Sequence, residues 1–229
     1  MFSWTIPCHK RLPQLLQSLP GLVAAANADP PVEIVIVDYG DQPALEPELL
    51  PILANLSPEN RALTVFYRGR PYYHAGHARN LSIRASTGDY VIISSTEITP
   101  AVGYFRHLRE QLAAANAKWL ACDSRYVGVL VIDRLELIAA GGYDERFEFY
   151  GGDDKDLRER LRRRRLPEGY YCGEDWLTMT RTYNADKVRN YRLPLTKTAM
   201  MMAGSAIFKE NREQGVLVAN EGLDWGKLS

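Results

Sequence analysis

Cysteine, histidine, net charge and long apolar runs are all scarce in this chain of 229 residues. The three cysteines, Cys8, Cys122 and Cys172, are odd in number and have neither CxxC nor metal-ligand spacing. This argues against a zinc site and fits a reducing compartment, where thiols serve as small apolar side chains. The histidines His9, His74, His77 and His107 show no HxH or HxxxH pattern, so each reads as a hydrogen-bonding residue rather than a ligand. With 28 basic and 28 acidic side chains the formal net charge is zero. No global field then exists to hold nucleic acid or an anionic membrane, and an anionic ligand must be met by local clusters. No stretch approaches the roughly 18 apolar residues of a membrane span. The N-terminus meets Pro7 and charge before a signal-like run can form, so the expectation is a cytoplasmic protein. What is present is 46% hydrophobic residues, enough at this length for a substantial core in one large domain or a domain with an appendage.

Periodicity organises the first half of the chain. Phe2 to Ile6 is a short apolar strand stopped by Pro7, and Leu12 to Ala26 repeats leucine at helical spacing. Val32 to Val37 is a near-continuous β-branched run, as in a strand buried on both faces of a parallel sheet, and it closes on Asp38-Tyr39-Gly40-Asp41. Further strands are expected at Leu63 to Tyr67, Tyr90 to Ser94, Trp119 to Asp123 and Val127 to Ile132. Helices are expected at Ala75 to Ala85, Pro100 to Asn116, Leu135 to Ala140, Asp153 to Arg165 and Thr196 to Arg212. The segment between the last two reads as irregular up to about Pro194. This alternation is that of an α/β fold with a mostly parallel sheet, in which ligands bind beyond the carboxyl ends of the strands.

Chemistry-bearing residues cluster in two places. Asp153, Asp154 and Asp156 crowd three carboxylates just after Gly151-Gly152. In one reading Asp153 caps the helix and the others sit at the positive end of its dipole. In the other, repulsion among the acids and the pull of the helix terminus leave an ionised carboxylate able to take a proton from a hydroxyl. Ser95-Thr96-Glu97 follows a buried strand, and Glu97 there either caps the next helix or holds a hard cation through oxygen. The arginines from Arg158 to Arg165 span nearly two turns, so their guanidiniums fan around the axis and read mainly as solvated or paired with upstream acids.

In order and spacing these pieces resemble the GT-A nucleotide-sugar glycosyltransferases, especially inverting family 2 and the related galactosyltransferases. The blocks are Thr5 to Arg11, Glu33 to Asp41, His74 to Ile83 running on to Thr87-Gly88-Asp89-Tyr90-Val91 and Ser95-Thr96-Glu97, and Gly141-Gly142-Tyr143-Asp144-Glu145-Arg146-Phe147 with Gly151-Gly152-Asp153-Asp154-Lys155-Asp156-Leu157. The resemblance implies a single GT-A domain over 1–229. Residues 1–98 would form the nucleotide-sugar half, 99–193 the acceptor and catalytic half, and 194–229 a C-terminal tail. It implies a hexosyltransferase-type enzyme that moves a sugar from a nucleotide donor, with UDP favoured, to a carbohydrate or other hydroxyl acceptor, with inversion.

Carried over by position, Asp154 is the general base, while Asp153 and Tyr150 meet the acceptor. Pro7, His9, Arg11, Asp38, Tyr39, Tyr73, His77, Arg79 and Thr96 bind the nucleotide-sugar, and Glu97 holds Mn²⁺ or Mg²⁺. Two departures stand out: Asp38-Tyr39 where two acids are usual, and Ser95-Thr96-Glu97 where a DxD is usual. Cationic help for the leaving diphosphate is sought in Arg181, Arg189, Arg192 or Lys197. The departures motivate a rival reading, a degenerate GT-A domain that binds nucleotide or glycan without transfer. A nucleotidyltransferase would need a glycine-rich loop after the first strand, and Pro7 to Arg11 contains no glycine.

Overall fold

The computed structural model describes residues 1–40, 43–180, 189, 191, 193 and 195–227. Seven strands form one sheet: β1 (Phe2–Cys8), β2 (Val32–Tyr39), β3 (Arg61–Tyr67), β4 (Tyr90–Ile93), β6 (Trp119–Cys122), β7 (Leu130–Asp133) and β8 (Glu168–Tyr171). Their spatial order is β3-β2-β1-β4-β7-β6-β8. The first four run parallel, β7 is antiparallel to both β4 and β6, and β8 is parallel to β6. Two further strands, β5 (Ile98–Pro100) and β9 (Leu177–Met179), pair antiparallel as a separate ribbon. The helices described are α1 (Leu12–Ala28), α2 (Glu46–Leu53), α3 (Ala75–Ala85), α4 (Tyr104–Ala114), α5 (Arg134–Ala139), α6 (Asp153–Arg163) and α7 (Lys197–Gln214).

The central strands are apolar on both faces because helices cover both. On one face Phe2, Trp4, Ile6 and Ile92 pack with α1 and α4, where Trp4 meets Tyr104 and Phe105 edge-on with ring centroids 5.8 and 6.0 Å apart. On the other, Val91, Ile93, Trp119 and Ile132 pack with Leu137 of α5 and with Leu157 and Leu161 of α6. The strand partition follows from side chains alternating between the two faces along each strand.

Several expectations are refined. Asp38 and Tyr39 lie within β2 and are fully buried, not in a loop beyond it. The helix expected from Pro100 starts at Tyr104 because Ile98–Pro100 is taken up as β5. The stretch read as irregular contains β8 and β9, whose shortness and Gly169 leave no period-2 signal. Helix α2, with Pro47 in its first turn and Pro51 inside it, was not anticipated either. The cap of α6 is Gly152, at φ 95°, and not Asp153.

Candidate active site

A cleft of about 840 Å³ opens where the parallel strands end. Pro7, His9 and Arg11 enter it from the end of β1, and Ser94 to Ile98 from the end of β4. Arg125 to Val129 line it between β6 and β7, Gly151 to Asp154 at the head of α6, and Met201 and Phe208 from α7. Of the residues expected from the sequence, Pro7, His9, Arg11, Tyr73, Arg79, Thr96, Glu97, Tyr150, Asp153 and Asp154 are brought together here.

The head of α6 is fixed by glycine geometry. Gly151 and Gly152 both have φ near 95°, a region costly for any residue with a Cβ. A Cβ on Gly152 would come 2.9 Å from Phe147, and one on Gly204 of α7 would collide with the Gly151 carbonyl. The turn and α7 therefore touch backbone to backbone, and Asp153 and Asp154 emerge just after the contact.

The two acids differ in their partners. Asp153 is ion-paired with Arg79, whose guanidinium also lies 3.5 Å from Asp154 Oδ1 and 4.8 Å from the centre of the Tyr143 ring. The Tyr143 hydroxyl donates to Asp154 Oδ1 at 2.9 Å. Asp154 Oδ2 faces Gly128, where a Cβ would lie at 3.4 Å, and it accepts no hydrogen bond among the described residues. Burial, reinforced by the Asp153 charge and opposed by Arg79, Tyr143 and Arg158, pushes the Asp154 carboxyl up to about 6. Burial works against the charge of Arg79, but Asp154 and Asp153 outweigh it and hold the guanidinium firmly protonated. Arg79 is thus engaged with both acids on the cleft wall.

Asp156, grouped with the other acids in sequence, serves a different end. It accepts from Arg160 Nε at 2.7 Å and from Asn211 of α7 at 2.7 Å, while Arg160 donates to the carbonyls of Ala140 and Gly142 at 2.7 and 2.8 Å. Asn211 also donates to Asp144, which is paired with Arg146. This buried network ties α6 and α7 to the Gly141-Gly142-Tyr143-Asp144 loop. Asn80 fastens the same loop, exchanging hydrogen bonds with the backbone of Tyr143 at 2.8 Å each. Adjacent residues of α3 thus hold the loop through Asn80 and the acids through Arg79.

On the β1 side, His9 stacks on Tyr73 with centroids 5.5 Å apart and contacts the Tyr39 carbonyl through Nδ1. Arg11 has a buried, unpartnered Nη1 on the cleft wall. Glu97 accepts from the Thr96 hydroxyl at 3.2 Å, and the Glu97 carbonyl receives the Thr180 amide at 2.9 Å beside the β5–β9 ribbon. Among the described residues no three His, Cys, Asp or Glu side chains converge on one metal position.

Three expected ligand contacts lie behind the cleft wall. Asp38 is fully buried, gripped by both Nη atoms of Arg68 and accepting the Leu45 amide at 3.0 Å. Tyr39 bonds through its hydroxyl to His77 Nδ1 at 3.0 Å. Burial and the nearby Arg70 charge lower His77 to about 4, so its ring is neutral at pH 7. Arg181 and Arg192 lie outside the described residues. Of the arginine run, Arg160 is buried, Arg162 pairs with Glu168, Arg163 with Glu159 and Arg164 with Glu136, while Arg158 lines the cleft. Arg158 belongs to the run expected to be solvated or paired, whereas Gly128 and Asn211 carry no signal in the sequence. Nothing local marks those two, since each acts through a contact distant in sequence.

The sequence matches the model for glycosyl transferase family 2 over residues 3–127. The chain belongs to that family. A second model, the N-terminal domain of galactosyltransferase, matches this family 2 chain over residues 111–183, which include the head of α6. None of the curated proteins matches the sequence. In structure the chain is similar to S. aureus TarS 1-349, with TM-score 0.63 and 11% identity over 78% of this chain and 60% of that one. It is similar to TarS 1-349 in complex with UDP-GlcNAc, with TM-score 0.61 and 11% identity over 80% and 59%. It also resembles the catalytic domain of Drosophila beta1,4galactosyltransferase 7 in complex with xylobiose, with TM-score 0.57 and 13% identity over 91% and 79%. The fold is therefore GT-A, and the chain spans about 60% of the length of that TarS chain. No helix among the described residues is long and apolar enough to cross a membrane.

Proposed function

We propose that the cleft transfers a sugar from a nucleotide-sugar to a hydroxyl acceptor with inversion, and that Asp154 is the general base. Family membership and fold support glycosyl transfer. The observation that carries the assignment of the base is the state of Asp154. One oxygen is anchored by Tyr143, the other lies beside Gly128 on the cleft wall with no donor among the described residues, and the carboxyl is raised to about 6. A base titrating near the working pH combines the right protonation state with proton affinity, and such help is worth about 10²–10⁴-fold in rate.

The acceptor hydroxyl donates its proton to Asp154 Oδ2 as its oxygen bonds to the anomeric carbon. The bond from that carbon to the diphosphate oxygen breaks, and its electron pair leaves with the nucleoside diphosphate. In-line attack puts the leaving group on the face opposite the base, on the side of β1 where Arg11 presents its unpartnered nitrogen. Arg79 keeps Asp153 and Asp154 from repelling one another, and Asp153 and Tyr150 border the acceptor's place in the cleft. The Tyr73–His9 stack offers an aromatic wall for a nucleotide base. One protein carboxylate completed by diphosphate oxygens is a donor set suited to Mg²⁺ or Mn²⁺, so Glu97 is the residue that would hold the ion. When bound, it would supply positive charge to the departing diphosphate.

UDP is the favoured nucleotide and a carbohydrate the favoured acceptor, supported by the UDP-GlcNAc and xylobiose of the similar structures. The test is to incubate the protein with a nucleotide-sugar and acceptor panel and read the anomeric configuration of the product by NMR. An inverted glycoside is expected. A retained one overturns the mechanism, and nucleotide binding without product across the panel favours the binding-only reading that Ser95 and Tyr39 motivate.

A further inference from the structure

Arg158 stands on α6 four residues after Asp154 and lines the same cleft. Its neighbours in the arginine run have carboxylate partners: Arg160 has Asp156, Arg162 has Glu168 and Arg163 has Glu159. Among the described residues Arg158 makes no hydrogen bond or ion pair, and its Nε is buried without an acceptor. A buried donor left unsatisfied is costly, so a bound group that accepts from it is favoured. Asp154 and Glu168 feel the Arg158 charge but accept no hydrogen bond from it, Glu168 being paired with Arg162, and Glu159 with Arg163.

Position then decides what Arg158 meets. It lies one helical turn, about 5–6 Å of rise, from the proposed base. In an in-line displacement the base and the leaving diphosphate are on opposite faces of the transferred sugar. Arg158 is therefore on the acceptor side, and Arg11 on the donor side. Lys155, over the Phe208 ring, and Arg125, paired with Glu174, also line the cleft. A guanidinium fork is matched to carboxylate and phosphate oxygens.

We propose that Arg158 binds an anionic group, a carboxylate or a phosphate, carried by the acceptor within about one sugar ring of the reacting hydroxyl. The acceptor is then an acidic or phosphorylated sugar rather than a neutral one. The inference rests on the proposed function for the placing of the acceptor side.

The experiment is a calorimetric or NMR titration of the whole protein with methyl glucuronide, glucose 6-phosphate and methyl glucoside, repeated on Arg158→Gln, Arg158→Lys and Asp154→Asn. At least one anionic probe is expected to bind about tenfold or more tightly than methyl glucoside, and which one does so separates a carboxylate from a phosphate. Arg158→Gln is expected to erase that preference, Arg158→Lys to keep part of it, and Asp154→Asn to keep or strengthen it by removing a negative charge. Equal binding of all three probes, no binding of either anionic probe, or a preference that survives Arg158→Gln would overturn the proposal. A preference lost in Arg158→Gln, found in a protein that transfers no sugar, would instead uphold this site and defeat the reading of the cleft as a transferase.

Discussion

Asp154 and Asp156 stand two residues apart and do opposite things, and the difference lies in what reaches each oxygen. Asp154 keeps one oxygen toward the cleft and is raised to about 6, so its basic form is lost as pH falls through that value. The rate of transfer is expected to fall on an acid limb with a midpoint near 6, measured as kcat/KM against pH. An acid limb near 4 would point to a solvated carboxylate instead. Asp156 is saturated by Arg160 and Asn211, and its pair with Arg160 is almost wholly buried. Arg160→Met leaves that carboxylate uncompensated and is expected to cost about 3–5 kcal/mol of stability by chemical denaturation. The sequence showed three acids in a row of four, but not which would be consumed by structure. Asn211, which decides this, is distant in sequence and carries no motif.

At the scale of elements, the site depends on how α7 docks against the head of α6. Gly204 meets the Gly151 carbonyl directly, so Gly204→Ala must push the helix away from the turn that presents Asp153 and Asp154. Overpacking of this kind costs about 1–3 kcal/mol. The expected outcome is a lowered Tm with a larger proportional loss of transfer, since a small shift of the base matters more to the reaction than to the fold. Equal losses of both would show that α7 does not position the site. The parallel strands and the larger helices were legible, because a β-branched run such as Val32 to Val37 and leucines at helical spacing are local signals. Strands β5, β8 and β9 were not legible, because they lack the unbroken apolar run that marks the equally short β4 and β7 and owe their conformation to partners across the chain. Helix α2, carrying Pro47 and Pro51, ran against local propensity in the same way.

Across the whole molecule, electrostatics is organised by burial rather than by net charge. Burial and Arg70 lower His74 and His77, the latter to about 4, against about 6.5 in an unfolded chain. Neutral burial of both supports stability that is full above pH 6.5 and falls below it, for His77 down toward pH 4. Asp154 acts in the opposite sense, since protonating a raised carboxyl relieves a cost between pH 6 and 4. His77→Gln is therefore expected to move the onset of acid unfolding, followed by Tm against pH, toward lower pH. The His77 contribution is roughly 3 kcal/mol at pH 4, from about 1.4 kcal/mol per unit. An unchanged onset would show that the histidines do not set it.

At this scale the sequence led to the right cleft because motif residues at the ends of β1 and β4 and at the head of α6 converge there. The burial of Asp38 and Tyr39 was not legible because strand β2 runs on through its polar end, and His77 is buried on α3 against the Tyr39 hydroxyl. The central claim, that Asp154 takes the acceptor's proton, is tested most directly by comparing transfer by Asp154→Asn with that of the wild type at pH 8. The account predicts a loss of about 10²–10⁴-fold in kcat with Tm unchanged or raised, because the variant removes a buried charge but keeps the side-chain shape. Activity within a few-fold of wild type would contradict it.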